Sequence, residues 1–155
     1  MSATIEQSQN AKVEFVTLVA GGQSFCIEIT QIREIRRWSP VTTLPHSPRH
    51  VLGVINLRGA VIPIIDLAAK LGFDVIIPTE RHVIIITAIE QRIVGLLVES
   101  VSEILGVGKD IIKETPTSPE DITSKAVTGI IPGDEDMTKI INLKALMPTE
   151  PSVAL

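Results

Sequence analysis

Six residues near the start of the chain, Thr30-Gln31-Ile32-Arg33-Glu34-Ile35, return as Glu99-Ser100-Val101-Ser102-Glu103-Ile104, displaced by 69 positions. Each copy follows a pair of strand-like runs. Phe15–Val19 and Ser24–Ile29 flank Ala20-Gly21-Gly22-Gln23, and His82–Ile89 and Arg92–Val98 flank Glu90-Gln91. Two apolar runs rich in β-branched residues around a short turn predict a β-hairpin, and a glycine pair suits the positive φ of a tight one. A second element is also duplicated. Gly53 precedes Asp66 by 13 residues, as Gly129 precedes Asn142, and Ile64-Ile65-Asp66-Leu67 matches Ile140-Ile141-Asn142-Leu143. Here the displacement is 76, so seven extra residues lie in the connection that holds Pro116, Pro119 and Asp121. An insertion in a surface connection costs little stability.

The chain therefore reads as a duplicated all-β unit, in the order hairpin, irregular turn and strand, proline-bearing link, second hairpin and short helix. Paired barrels are the architecture such a duplication suggests. Asp66 and Asn142 are suited to cap short helices, with Leu67 and Leu71 on one face of the first, Gly72 at its end and Pro148 stopping the second. Pro63 removes a ladder donor, so its strand is expected at a sheet edge or bulge, and Pro132 sits at a comparable break. The expected folded part is one domain of two subdomains, Val13–Met147, between polar tails at 1–12 and 148–155.

Composition narrows the function. With 45% apolar and 21% charged residues the chain has the make-up of a soluble globular protein. A formal charge of −4 offers no basic field for a phosphate backbone, so no nucleic-acid partner is expected. Cys26 is the only cysteine, which excludes an internal disulfide and a multi-cysteine metal site and fits a reducing cytoplasm. No run is long and apolar enough for a membrane helix, and no direct membrane insertion is expected.

Chemistry is sparse. Gly108-Lys109 resembles the end of a phosphate-binding loop, but Glu103 stands where the first glycine belongs and Asp110 where a Ser or Thr would hold magnesium. His46 and His50 have the spacing of helical metal ligands, yet Pro45 and Pro48 exclude a helix there. Cys26, between Phe25 and Ile27, reads as a small buried strand residue. No serine has a nucleophile-elbow setting. No catalytic residue, metal or cofactor is expected, and the rival from another class is a small enzyme using Cys26 or Asp66.

Two features remain. Arg33, Glu34, Arg36, Arg37 and Trp38 form a charged run ending in the only tryptophan, either a solvated strand face or an interface. Ile29, Ile32 and Ile35 recur every third residue, as do Val98, Val101 and Ile104, either as core or as a groove shared between the copies.

Taken together, Val54-Ile55-Asn56-Leu57-Arg58-Gly59, Pro63-Ile64-Ile65-Asp66-Leu67, Ile32-Arg33-Glu34-Ile35 and Val94-Gly95-Leu96-Leu97-Val98 leading to Val101-Ser102-Glu103-Ile104 resemble the CheW family of bacterial chemotaxis adaptors. The resemblance implies two intertwined five-stranded SH3-like β-barrels with short connecting helices and no enzymatic activity. It implies a stand-alone cytoplasmic adaptor recruited to membrane-associated receptor arrays. The implied partners are the regulatory domain of a CheA-type histidine kinase and the cytoplasmic tip of methyl-accepting chemoreceptors. Carried over by position, Ile29, Ile32, Ile35, Val101 and Ile104 resemble the receptor-binding groove, with Glu34 and Arg58 at its polar margin. Val41, Leu44, Arg49, Gly53 and Ile55 are similarly implied in kinase binding. Arg58, in a turn that Gly59 permits, is expected to project a forked guanidinium towards a partner. The second copy has Pro132-Gly133-Asp134-Glu135-Asp136 there instead, so only one copy should offer this contact. An adaptor of a pilus or surface-sensing pathway is the nearest alternative.

Overall fold

The structure is a computed structural model and describes residues 12–114, 126–133 and 136–146. The tails, the proline-bearing link around Pro116 and Pro119, and Asp134-Glu135 lie outside the described residues. The first hairpin is β1 (Lys12–Ala20) with β2 (Gln23–Glu28), followed by a 3-10 turn at Ile29–Gln31 and β3 (Ile32–Arg37). Then come β4 (Val51–Leu57), β5 (Ala60–Asp66) and a one-turn helix α1 (Leu67–Lys70). The second half repeats the series: β6 (Val83–Ile89), β7 (Arg92–Val98), β8 (Ser100–Gly108), a 3-10 turn at Lys109–Ile111, β9 (Val127–Pro132), β10 (Met137–Ile141) and α2 (Leu143–Leu146).

Both predicted hairpins form, each with a two-residue turn. Gly21 and Gly22 have φ of 59° and 72°, and Glu90 and Gln91 take 50° and 69° without being glycine. Positive φ at both turn positions matches the right-handed twist of the strands. The cost of placing two side-chain-bearing residues there is met by the β6–β7 ladder, whose seven paired positions run from Val83–Val98 to Ile89–Arg92.

The ten strands form two five-stranded sheets, in the orders β8-β1-β2-β10-β9 and β3-β6-β7-β5-β4. Each half of the chain thus lends its hairpin to the sheet built by the other half. The hairpins are seated by short parallel pairings, Ile140 beside Cys26 in one sheet and Ile64 beside Gly95 in the other. These two pairs are related by the displacements of the repeat, 76 on one side and 69 on the other, so the exchange is itself duplicated.

Edge strands are tied back in the same way in both sheets. After β3 the chain turns so that Thr42 exchanges two backbone hydrogen bonds with Val54 of β4, at 2.9 and 2.8 Å. After β8, Lys113 does so with Ile130 of β9, again at 2.9 and 2.8 Å. A Cβ on Gly53 would lie 2.3 Å from the Thr42 carbonyl oxygen, and one on Gly129 3.1 Å from that of Lys113. The duplicated glycines are there because the returning chain passes where a side chain would stand.

Pro63 corrects one expectation, since β5 is not an edge strand but lies between β7 and β4. Val54, opposite Pro63, gives its backbone groups to Thr42, so the proline nitrogen faces away from β4. On that other side the ladder to β7 begins only at Ile64. A missing donor costs nothing where no strand has yet arrived.

Burial divides the apolar residues into a central core and two smaller ones. The central core joins the inward faces of both sheets and both helices, with Leu18, Phe25, Ile27, Ile65, Leu67, Ile85, Leu96 and Leu143 each almost fully buried. Ile62, Ile64, Ile84, Ile86 and Leu97 fill the interior of the sheet containing β3, and Phe15, Cys26, Ile131 and Ile140 that of the other. Because the hairpins contribute alternate residues to the central and the small cores, neither half has a complete core alone. Asp66, fully buried, caps α1 as expected: Ala69 N donates to its Oδ1 at 3.3 Å, and Ile76 N donates to Oδ2 at 2.8 Å. One carboxylate therefore starts the helix and anchors the loop beyond it.

Candidate functional site

Strand register decides which way the two repeated motifs face. On β3, Ile35 is paired with Ile85, a residue of the central core, while Glu34 and Arg36 are paired with Ile86 and Ile84 of the smaller one. Ile35 thus looks towards the junction of the sheets, and Glu34 and Arg36 towards the interior of their own sheet. A register slip between Ile32 and Glu34 turns Ile32 to the same side as Ile35, where it packs on the central core. This bulge explains the three-residue spacing that a regular strand, with a period of two, would not produce.

The second copy is arranged alike. Val101 is paired with Leu18 of the central core and packs against that core, and Ile104 is paired with Val16 on the same side of β8. The inner members of the two motifs, Ile32 and Val101, are half-buried, whereas the outer ones are open: Ile35 is 46% exposed and Ile104 58%. The core reading holds for the inner members, while the outer ones are exposed to solvent. Ile29, in the 3-10 turn before β3, is half-buried.

The structure brings Glu34 and Arg58 together. Arg58 Nη1 donates to Glu34 Oε1 at 3.1 Å, and Arg36 Nη1 lies 3.6 Å from Glu34 Oε2. Glu34 is on one edge strand of its sheet and Arg58 in the β4–β5 turn at the other, so the pair marks how far that sheet curls. Arg58 itself has φ of 52° and Gly59 88°, with Asn56 Oδ1 accepting from Gly59 N at 3.0 Å. Gly59 takes the positive φ expected of it, and Arg58 is left-handed as well. Arg36 is a participant that sequence reasoning missed. Its signal was the strand period, since Glu34 and Arg36, two apart, share a face. The Arg36 Nε is buried with no partner among the described residues.

The residues implied in kinase binding lie along the tie between the edges of the β3 sheet. Val41 and Ile55 are half-buried and pack on the smaller core, and Leu44 is exposed. Gly53 is buried beneath Thr42 and Val41, which gives it a packing role. Arg49 Nη2 donates to the Phe73 carbonyl at 3.2 Å, linking this stretch to the loop that Asp66 anchors. His50 contributes its carbonyl to Asp66 N at 2.7 Å, and burial, followed by Lys70 and Arg49, pushes its pKa down.

Cys26 is fully buried, and burial pushes its thiol up to about 12, so it stays protonated and unreactive at neutral pH. Both carboxylate oxygens of Asp66 are occupied by backbone donors. Among the described residues no three His, Cys, Asp or Glu side chains converge to hold a metal ion, and no helix is long and apolar enough to cross a membrane.

Against known proteins, the profile of the CheW-like domain matches residues 14–150. The chain belongs to the CheW-like domain family. It is 46% identical over 154 residues to a probable chemotaxis protein CheW of Rhizobium etli, covering 99% of both chains. It is 41% identical over 150 residues to chemotaxis protein CheW of Rhizobium meliloti, covering 97% of each. Among solved structures, the scaffolding protein TtCheW from Thermoanaerobacter tengcongensis superposes with a TM-score of 0.76 at 28% identity, over 84% of this chain and 89% of that one. CheW membership agrees with what the sequence motifs implied, as do the two five-stranded sheets and short helices.

Proposed function

We propose that this CheW-family protein is a non-enzymatic adaptor that couples chemoreceptors to a CheA-type histidine kinase in bacterial chemotaxis. In this reading it works in the cytoplasm, recruited to receptor arrays. The observation that carries the proposal is the pair of exposed isoleucines, Ile35 and Ile104, set on equivalent strands of two sheets and backed by Ile32 and Val101 on the shared core. Two open apolar side chains on a rigid support form a surface suited to an amphipathic helix, and the ion pair of Glu34 with Arg58 lies on the other side of β3. The receptor tip is assigned to it, and the stretch of Val41, Leu44, Arg49 and Ile55 to the regulatory domain of the kinase. The occupied carboxylate of Asp66 and the protonated Cys26 thiol support a role without bond chemistry.

Such an adaptor transmits a signal only if its complexes favour the active and inactive kinase arrangements unequally, which makes coupling a matter of shifted populations. The test is co-sedimentation of the full chain with a receptor signalling fragment and with the kinase. Ile35→Asp and Ile104→Asp are expected to abolish recovery with receptor while preserving recovery with kinase. Wild-type protein that sediments with neither partner would overturn the assignment.

A further inference from the structure

The docking face has two nearly equivalent apolar halves, and by themselves they would not tell a helix which way to lie. Charge breaks the equivalence. On the β3 side Ile35 is bracketed by Arg33 and Arg37, both exposed and without an ion pair among the described residues. Arg37 is paired with Val83, which packs on the central core, so its side chain is on the same side of β3 as Ile35. Arg33 falls at the bulge, where the strand re-aims a side chain. Applying the 69-residue displacement, the corresponding positions on β8 are Ser102 and Gly106. Gly106 is flanked by the stems of Lys12 and Glu14, one charge of each sign.

We infer that Arg33 and Arg37 orient the docked partner, selecting a helix that carries carboxylates on the side facing β3 beside the apolar residue covering Ile35. The inference rests on the adaptor reading above and adds to it the chemistry of the partner and its polarity. The overall charge of −4 opposes an acidic partner at a distance. At contact the local field decides, because charges beyond about 8 Å are largely screened at physiological salt. There, Glu34 is already paired with Arg36 and Arg58, and Arg33 and Arg37 have no ion pair among the described residues. Geometry sets the spacing. Two strand residues span about 7 Å, and four helical residues rise about 6 Å. A helix running along β3 therefore meets both Ile35 and Arg37 with an apolar residue and a Glu or Asp four positions apart. Guanidinium groups suit this contact because they pair with carboxylates in a forked geometry.

The experiment measures binding of a receptor signalling fragment to wild type, Arg33→Glu/Arg37→Glu and Arg33→Lys/Arg37→Lys across a salt series. Kinase regulatory domain and vesicles of mixed neutral and anionic phospholipid serve as parallel probes. Roughly tenfold weaker receptor binding by the glutamate variant at low salt is expected, with a flatter salt dependence and unchanged kinase affinity. The lysine variant, which keeps the charges, is expected to stay within about threefold of wild type. Equal receptor affinity and equal salt dependence for the glutamate variant and wild type would overturn the inference and leave the adaptor reading standing. Wild type that binds kinase but no receptor fragment would overturn both. A loss confined to vesicle binding would reassign the arginines to a lipid surface.

Discussion

Arg58 Nη1 donates to Glu34 Oε1 at 3.1 Å across 24 residues of sequence, from the turn at one edge of a five-stranded sheet to the strand at its other edge. The Arg58 side chain is 76% exposed and that of Glu34 29%, so the pair sits at the surface, and Glu34 is shared with Arg36. A guanidinium held this way is aimed before any partner arrives, which lowers the entropy cost of a contact made later.

Replacing Arg58 by alanine should leave stability within about 0.5 kcal/mol of wild type, because an exposed ion pair contributes about 0–1 kcal/mol and Arg36 remains beside Glu34. Receptor or kinase association should weaken, and Arg58→Glu should weaken it further. Thermal melting together with titration calorimetry against each partner decides it: unchanged affinity for both would remove Arg58 from the binding surface.

Gly53→Ala should be among the most damaging small substitutions. The new Cβ would meet the Thr42 carbonyl at 2.3 Å, a backbone atom that cannot swing aside, and φ there is 152°. Strain of this kind costs about 1–3 kcal/mol before the clash is counted. Urea denaturation should register a loss of at least about 2 kcal/mol. Gly22→Ala, whose Cβ would meet nothing within 4 Å, is the matched control and should lose less.

Asp66→Ala removes a helix cap and leaves the Ile76 amide without its acceptor. A cap contributes about 0.5–2 kcal/mol and an unsatisfied buried donor about 1–3 kcal/mol. The expected loss is about 2–4 kcal/mol. Asp66→Asn keeps one acceptor oxygen and should lose less. Hydrogen exchange at Ile76 should accelerate in the alanine variant; an unchanged rate would mean that the loop is held by something other than this carboxylate.

Cys26 gives a pH dependence of known sign. Its thiol is raised from 9.0 to about 12 in the folded protein, so the unfolded chain loses its proton first. The thiol's contribution is fully present below pH 9 and is lost as pH climbs towards 12, at up to about 1.4 kcal/mol per unit. Cys26→Ala lacks this slope. The stability advantage of wild type over the variant should therefore shrink between about pH 9 and pH 10.5, and parallel curves in denaturant titrations would contradict the buried thiol.

The local elements were legible in the sequence because each is specified by neighbours. Gly21-Gly22 between apolar runs means a tight hairpin whatever the rest of the chain does, and Asp66 before Leu67 means a helix start. The 69- and 76-residue displacements exposed the duplication, and motif by motif they led to the CheW family. Side-chain exposure within the repeated isoleucines was not legible. The spacing of Ile32 and Ile35 is the same as that of Val101 and Ile104, but register decides only the side they face, and the packing of the folded chain leaves the outer member of each pair open.

The sequence by itself determined the parts: two hairpins, a duplicated strand and cap, a single buried cysteine and a lone arginine turn. Tertiary structure alone decided how they were shared. Each hairpin crosses to the other sheet, Pro63 rests in an inner strand, and Glu34 finds Arg58. The physical reason is range. A turn or a cap depends on a few adjacent residues, whereas the choice between two similar sheets depends on which exchange completes the central core. Phe25 and Ile27 from one hairpin and Leu96 and Val98 from the other are buried together there, beyond the reach of local propensity.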